Sequence, residues 1–273
     1  MYSHASARRP ALVAAALASI GLAGCGFGPL PGRATEEWTK TYPLSAGGTV
    51  RIGNTNGKVE IEGVDAAAVE VHVEKIARAA TDDGARALLP RIAINEDVKP
   101  DRISIETGRM SGIMIGAGFE VRYHVKAPRA ALVEARTTNG GVWLTGLTGK
   151  VIARTTNGGV RATALRGPIE AESTNGGVNV DLAAVADRVA LRTTNGGVTL
   201  DVPETAKADV LATWTNGGMS VNGLSLDVSE RSRRRFEGKL NGGGTPIELH
   251  TTNGGIRLRA RDVDPQKQTD ERR

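Results

Sequence analysis

The chain has 273 residues, of which 40% are hydrophobic but only 3% aromatic, and it carries 35 glycines. That balance suits thin strands joined by many turns and argues against a helical enzyme built around a deep apolar pocket. Net charge is +5, falling to about +3 once the leader arginines Arg8 and Arg9 are set aside, which favours solubility and argues against nucleic-acid binding.

Residues 1–24 read as a lipoprotein signal peptide. Arg8 and Arg9 open it, and Ala11 to Ala23 form an apolar run too short for a permanent membrane helix, which needs about 20 residues. Leu22-Ala23-Gly24-Cys25 resembles the lipobox of bacterial lipoproteins. Small residues let the backbone enter a peptidase cleft, and a thiolate on Cys25 accepts the lipid. Cys25 is the sole cysteine, so no internal disulfide forms. The expected partner is a membrane, reached through lipid on Cys25, and the expected location is the cell envelope. Gly26 in place of Asp resembles the pattern passed on to an outer membrane where two membranes exist. Residues 25–40 are expected to hold the lipidated cysteine and a tether, starting with the Gly/Pro-rich Gly26 to Gly32.

Residues 41–130 carry strand-like alternation without a clear repeat. Val69, Val71 and Val73 share one face, and Phe119, Val121, Tyr123 and Val125 share another. Between them Thr81-Asp82-Asp83 is suited to cap a short helix that runs to Leu89 and stops at Pro90. This half reads as irregular coils that close one end of a more regular stack.

Residues 131–260 contain the decisive feature, self-similarity. Thr-Asn-Gly-Gly recurs with its asparagines at 139, 157, 175, 195, 216 and 253, so the spacings are 18, 18, 20, 21 and 37. The last is about two periods, and Asn241-Gly242-Gly243 inside it reads as a worn copy. Each period holds two short alternating segments, such as Ala153-x-Thr155 before the Asn and Val160-x-Ala162 after it. Alternation with period two is a half-buried strand. Asn and Gly suit the corner because both tolerate positive φ. If coils stack in register, Asn139, Asn157, Asn175, Asn195, Asn216 and Asn253 form structural turns about 4.8 Å apart, and their amides bond in a ladder. The expected fold is all-β: a right-handed, single-stranded β-helix with coils of about 18–21 residues, handed by the crossover rule. An antiparallel meander is the rival, because Asn-Gly is also a strong hairpin signal. Residues 261–273 are polar and read as a disordered tail.

Three elements together resemble bacterial β-strand-repeat envelope proteins, a domain of unknown function described as adhesin-head-like. They are Val50-Arg51-Ile52 running through Asn54-Thr55-Asn56-Gly57-Lys58-Val59, the step Val125-x-Ala127-Pro128, and the Thr-Asn-Gly-Gly coils. The resemblance covers about residues 38–260. It implies a single-stranded right-handed β-helix and offers no activity and no functional residues.

Several side-chain groups are candidates for chemistry. Glu70, His72 and Glu74 lie on one outward face, and Glu120 and His124 on another; together they have the donors of a divalent-metal site, but alternation alone also places them outside. Glu170 and Glu172 are spaced as a glycosidase pair would be. Coil arithmetic instead places Glu172 between Arg154 and Arg192, with Arg136 in the same column, as a lateral ion-pair ladder. Arg231, Arg233, Arg234 and Arg235 fall in the long interval and are the candidates for contact with an anionic polymer or headgroup. Trp143 and Trp214 are candidates for stacking on sugars, and Met110 to Gly118 for a buried turn or a partner patch. No nucleophile elbow is present, no cofactor is implied, and neither a metal nor nucleic acid is expected. The expectation is a noncatalytic envelope lipoprotein that presents its solenoid surface to a surface polymer or protein partner. A structural spacer or scaffold is the alternative, ahead of a carbohydrate-active β-helix protein.

Overall fold

The structure is a computed structural model that describes residues 30–108 and 116–261. The leader, Cys25, most of the Met110 to Gly118 segment and the tail beyond Arg261 lie outside the described residues. Among the described residues, nineteen strands are hydrogen-bonded into one mixed, nearly closed, barrel-like sheet.

Seven strands come from the first half: β1 (Gly32–Pro43), β2 (Thr49–Asn56), β3 (Val59–Val64), β4 (Ala68–Ala79), β5 (Ile94–Lys99), β6 (Arg102–Thr107) and β7 (Ala117–Pro128). Helix α1 (Asp82–Leu88) starts at Thr81, whose hydroxyl accepts the Gly84 N–H at 3.1 Å. A 3-10 turn over Leu89–Arg91 carries Pro90 and ends the helical segment. The repeat supplies β8 (Leu132–Asn139), β9 (Val142–Thr145), β10 (Val151–Asn157), β11 (Val160–Leu165), β12 (Ile169–Asn175), β13 (Val178–Leu182), β14 (Val189–Asn195) and β15 (Val198–Val202). The chain closes with β16 (Ala208–Asn222), β17 (Leu226–Arg231), β18 (Arg235–Leu240) and β19 (Thr245–Ala260).

In the repeat, every strand pairs in parallel with its counterpart one period away. Val151 faces Val133 and Asn157 faces Asn139, while Val160 faces Val142 across the other ladder. The antiparallel meander is thereby excluded for these coils. The reason is the identity of the columns: parallel stacking sets Ala135, Ala153, Ala171 and Leu191 over one another, all buried. The second ladder stacks Val142, Val160, Val178 and Val198, equally buried. Alanine at so many inward positions gives a thin core, which is why so few aromatic residues suffice to fill it.

Chain order and coil order part company at both ends. The β2–β3 coil lies between β6–β7 on one side and β8–β9 on the other. At the far end β14 and β15 pair with β19, and β16 lies beyond β19. The plain succession of coils expected from the sequence is therefore corrected. The 37-residue interval is not two coils laid in turn; it is an outer coil, an antiparallel β17–β18 hairpin, and a return into the slot left open. Asn241 is no coil corner. It sits at φ 49°, in the turn between β18 and β19, and its amide donates to the carbonyls of Glu204 and Ala206 at 2.7 and 2.8 Å.

The expected tether is also corrected in part, because β1 pairs antiparallel with β4 from Gly32↔Ala79 to Pro43↔Ala68. At this end β1 and β5 meet through Glu96, which accepts from Lys40 Nζ at 2.6 Å and Tyr42 Oη at 2.7 Å. Burial opposes ionisation of Glu96, but the hydrogen bonds from Lys40 and Tyr42 and the charge of Lys40 hold its pKa below the usual carboxylate value. A lowered folded pKa stabilises the fold above the unfolded pKa, and that contribution is lost as pH falls through the folded value. Acidification below about pH 4 is expected to speed hydrogen exchange in β5. In Glu96→Gln that acid step should disappear; an unaltered step would assign it elsewhere.

Candidate interaction face

The corners at Asn139, Asn157, Asn195 and Asn253 are built from Thr-Thr-Asn-Gly, with Ser173 replacing the first threonine before Asn175 and Trp214 replacing it before Asn216, and each residue has a separate task. The first hydroxyl points inward and donates to the glycine carbonyl of the neighbouring coil. Thr155 bonds Gly140 O, Ser173 bonds Gly158 O, Thr193 bonds Gly176 O and Thr251 bonds Gly196 O, all at 2.8 Å. These hydroxyls are buried, so the bonds satisfy carbonyls that water cannot reach. The Asn amides form one unbroken ladder in the order Asn56, Asn139, Asn157, Asn175, Asn195, Asn253, Asn216, each Nδ2 donating to the preceding Oδ1 at 2.7–2.9 Å. The glycine after each Asn lets adjacent corners touch: a Cβ at Gly158, where φ is +154°, would lie 2.0 Å from Gly140 O.

Alternation then fixes what faces outward. Thr138, Thr156, Thr174 and Thr194, one residue before each Asn, are exposed and lie one above the next. Two residues earlier runs the column Glu106, Gly53, Arg136, Arg154, Glu172, Arg192, His250. A shallow open groove of about 520 Å³ lies over Gly53, Arg136, Arg154 and the outward threonines.

Charge along this column is uneven. Arg154 reaches Glu172 at 3.6 Å and Glu170 at 3.8 Å, and Lys150 holds Glu170 at 3.2 Å. Arg192 reaches Glu248 at 3.3 Å. Glu170 and Glu172 are thus ion-paired, not free as a glycosidase pair. Arg136 has no ion-pair partner among the described residues, and its neighbours in the column are glycine and a second arginine.

The family model described as Toastrack DUF4097 matches residues 45–259, which include every coil and the groove. The chain belongs to the Toastrack DUF4097 family. Among solved structures, this Toastrack chain is 13% identical to a "putative cell adhesion protein" from Clostridium sporogenes, with 84% of this chain and 100% of that chain covered and a TM-score of 0.49. It is 11% identical to a "putative adhesin" from Bacteroides fragilis, with 83% and 97% covered and a TM-score of 0.40. No curated protein matches it.

The remaining sequence candidates of the Toastrack chain are explained by their neighbours. Strands β4 and β7 are adjacent and set His72 opposite His124, but the carboxylates are taken up by cations. Glu70 binds Lys126 at 3.0 Å, and Arg122 binds Glu74 at 3.3 Å and Glu120 at 2.7 Å. No cluster of three or more His, Cys, Asp or Glu suited to a metal occurs among the described residues. Trp143 is 42% exposed, yet its ring is flanked from the coils on either side by Lys58 Nζ, 3.3 Å from the centroid, and by Arg161 at 5.8 Å. Trp214 is buried. Trp214 is therefore closed to a sugar, which corrects that expectation for it, and Trp143 already carries a cation against its ring.

Of the four hairpin arginines, Arg231, Arg233 and Arg234 are exposed around the β17–β18 turn, while Arg235 is held by Glu230 at 3.0 Å and Glu237 at 2.8 Å. Arg235 therefore belongs to the hairpin's own ion pairs. Two features escaped the sequence reading. The inward hydroxyl column was hidden because Thr137, Thr155 and Thr193 read only as strand alternation. The free Arg136 was hidden because its neighbour Gly53 lies 83 positions away; counting three back from Asn56 finds it.

Proposed function

We propose that this Toastrack protein is a noncatalytic cell-envelope lipoprotein whose coil surface engages an extended partner at or beyond the membrane. One observation carries the reading: a straight column of exposed threonines beside a continuous amide ladder, repeated coil after coil at a single register. A surface periodic in one direction suits a ligand that is itself extended and repetitive. The same columns pair acids with bases, which suits contact better than hydrolysis. We read the coils as right-handed, following the parallel crossover rule.

The anchor in this reading is lipid on Cys25, in the Leu22-Ala23-Gly24-Cys25 segment. Strand β1 is an outermost strand at one end of the stack, and the β17–β18 hairpin caps the other. Ten strand pairings lead from β1 to β18, roughly 48 Å at ~4.8 Å each. The exposed hairpin arginines then face away from the anchoring membrane. Adhesion to an outside surface, with outer-membrane residence where two membranes exist, is the specific form of the proposal. A spacer role is the second reading, favoured by the unbroken amide ladder and its rigidity.

Cys25→Ser is expected to move the protein from the membrane fraction to the soluble fraction without changing its melting temperature. Membrane retention equal to wild type would reject the anchor. Pull-down of envelope material by the wild-type lipoprotein, compared with beads alone, separates contact from spacing: a pure spacer would retain nothing.

A further inference from the structure

We propose that Arg136 and Arg154 form an oxyanion-binding site for a charged polysaccharide, with the outward hydroxyls of Thr138 and Thr156 completing it. The inference rests on the contact reading above and names the ligand class.

The argument begins with charge. Arg136 and Arg154 are direct cross-strand partners in register, and like charges opposite one another destabilise a sheet. Elsewhere in this column arginine alternates with glutamate. Gly53 occupies the position where a carboxylate would neutralise Arg136. Glu106 lies one strand further, and its Cγ is 3.0 Å from where a Gly53 Cβ would stand. It makes no ion pair with Arg136 among the described residues. One guanidinium is thus left with all its donors open to the groove, beside a second whose carboxylate contacts are long, at 3.6 and 3.8 Å.

A guanidinium fork binds a carboxylate or sulfate through two parallel N–H···O bonds. Two forks one strand apart, about 4.8 Å, suit one oxyanion group held between them. Thr138 and Thr156 stand in the next outward column, where a hydroxyl is able to donate to the same group or accept from a sugar. The groove lining is polar and runs along the stack, across the coils of β2, β8, β10 and β12. Its length suits a chain rather than a single small acid. Glu106 and Glu172 at its two ends repel further anions, so the site selects charge spaced along the polymer over dense polyanion.

The test uses the full chain without its leader and two chemically defined probes, polygalacturonate for carboxylate and dextran sulfate for sulfate, with uncharged dextran as control. Affinity is read by calorimetry or biolayer interferometry at two salt concentrations. Wild type is expected to bind at least one charged probe, more weakly at higher salt, and to ignore dextran. Arg136→Ala with Arg154→Ala should weaken binding at least tenfold. Gly53→Glu keeps both arginines, places a carboxylate beside Arg136, and should weaken binding similarly; its only tight contact is a flexible side chain. Circular dichroism checks that both variants fold. Equal binding by both folded variants overturns the site, as does loss only in Arg233→Ala with Arg234→Ala, which would move recognition to the hairpin. Binding of dextran as strongly as the charged probes overturns the charge argument. Failure of wild type to bind either probe overturns the ligand class. In each of these cases, continued capture of envelope material by wild type leaves the broader contact reading standing.

Discussion

Gly158→Ala should destabilise the repeat by about 3 kcal/mol or more, an unusually large effect for one added methyl. Two terms add. Backbone at φ +154° is a region that side chains with a Cβ rarely adopt, and left-handed conformations cost roughly 1–2 kcal/mol. The new Cβ would also lie 2.0 Å from Gly140 O and 2.5 Å from Gly140 C, so the coils must separate. That carbonyl already accepts the Thr155 hydroxyl at 2.8 Å, and Gly158 N–H donates to Asn175 O at 2.9 Å. Moving the corner weakens both bonds and the Asn157 rung between them. Gly118→Ala is the control, since nothing lies within 4 Å of its Cβ position and its φ is ordinary. Urea denaturation compares the two. A Gly158→Ala change as small as that of Gly118→Ala would mean the corners have slack, and the close-contact account of the repeat would fall.

The second large effect is expected at Val178. Its side chain is fully buried, with Val160 and Val198 in the coils on either side. Val178→Asp puts a carboxylate where the surrounding columns are aliphatic and no cation is in reach from inside. The group either ionises without a partner or stays protonated with its hydrogen bonds unmade. A loss of about 4 kcal/mol or more is the expectation, with melting measured across pH. Stability should recover partly toward low pH, where the carboxyl is neutral, because a folded pKa raised by burial favours the protonated state. A variant with the wild-type melting temperature at neutral pH would show that Val178 does not point inward.

The parts of this fold that were legible in the sequence are those where identical residues must coincide. Stacking Val133 on Val151 and Asn139 on Asn157 needs only the 18-residue spacing. The same uniformity hides the order of the coils. Asn195 bonds Asn253 and not Asn216, yet every corner presents the same amide, so nothing local distinguishes the two partners. Strand β1 was missed for another reason. Within Gly32–Pro43 only Ala34 and Tyr42 are buried apolar side chains, so an edge strand pairing through its backbone leaves little periodicity to read. Of the candidate face, Arg136, Arg154 and Glu172 were placed correctly in one column by counting. Their electrostatic meaning depends on Gly53 and Glu106, which come from distant segments. The cations that flank Trp143 were not legible for the same reason, since they belong to neighbouring coils, Lys58 from 85 positions away.

The late insertion of β19 between β15 and β16 bears on biogenesis. A chain is made from its N-terminus, so β14, β15 and β16 are available before their shared neighbour is. Until residues 245–260 arrive, β15 has one parallel partner fewer and β16 has only its hairpin mate β18. Two open strand edges of matching sequence are an invitation to pair with another molecule. The β19 segment therefore works as a latch. Proteolysis between β18 and β19 would leave both edges open and a fragment prone to self-association.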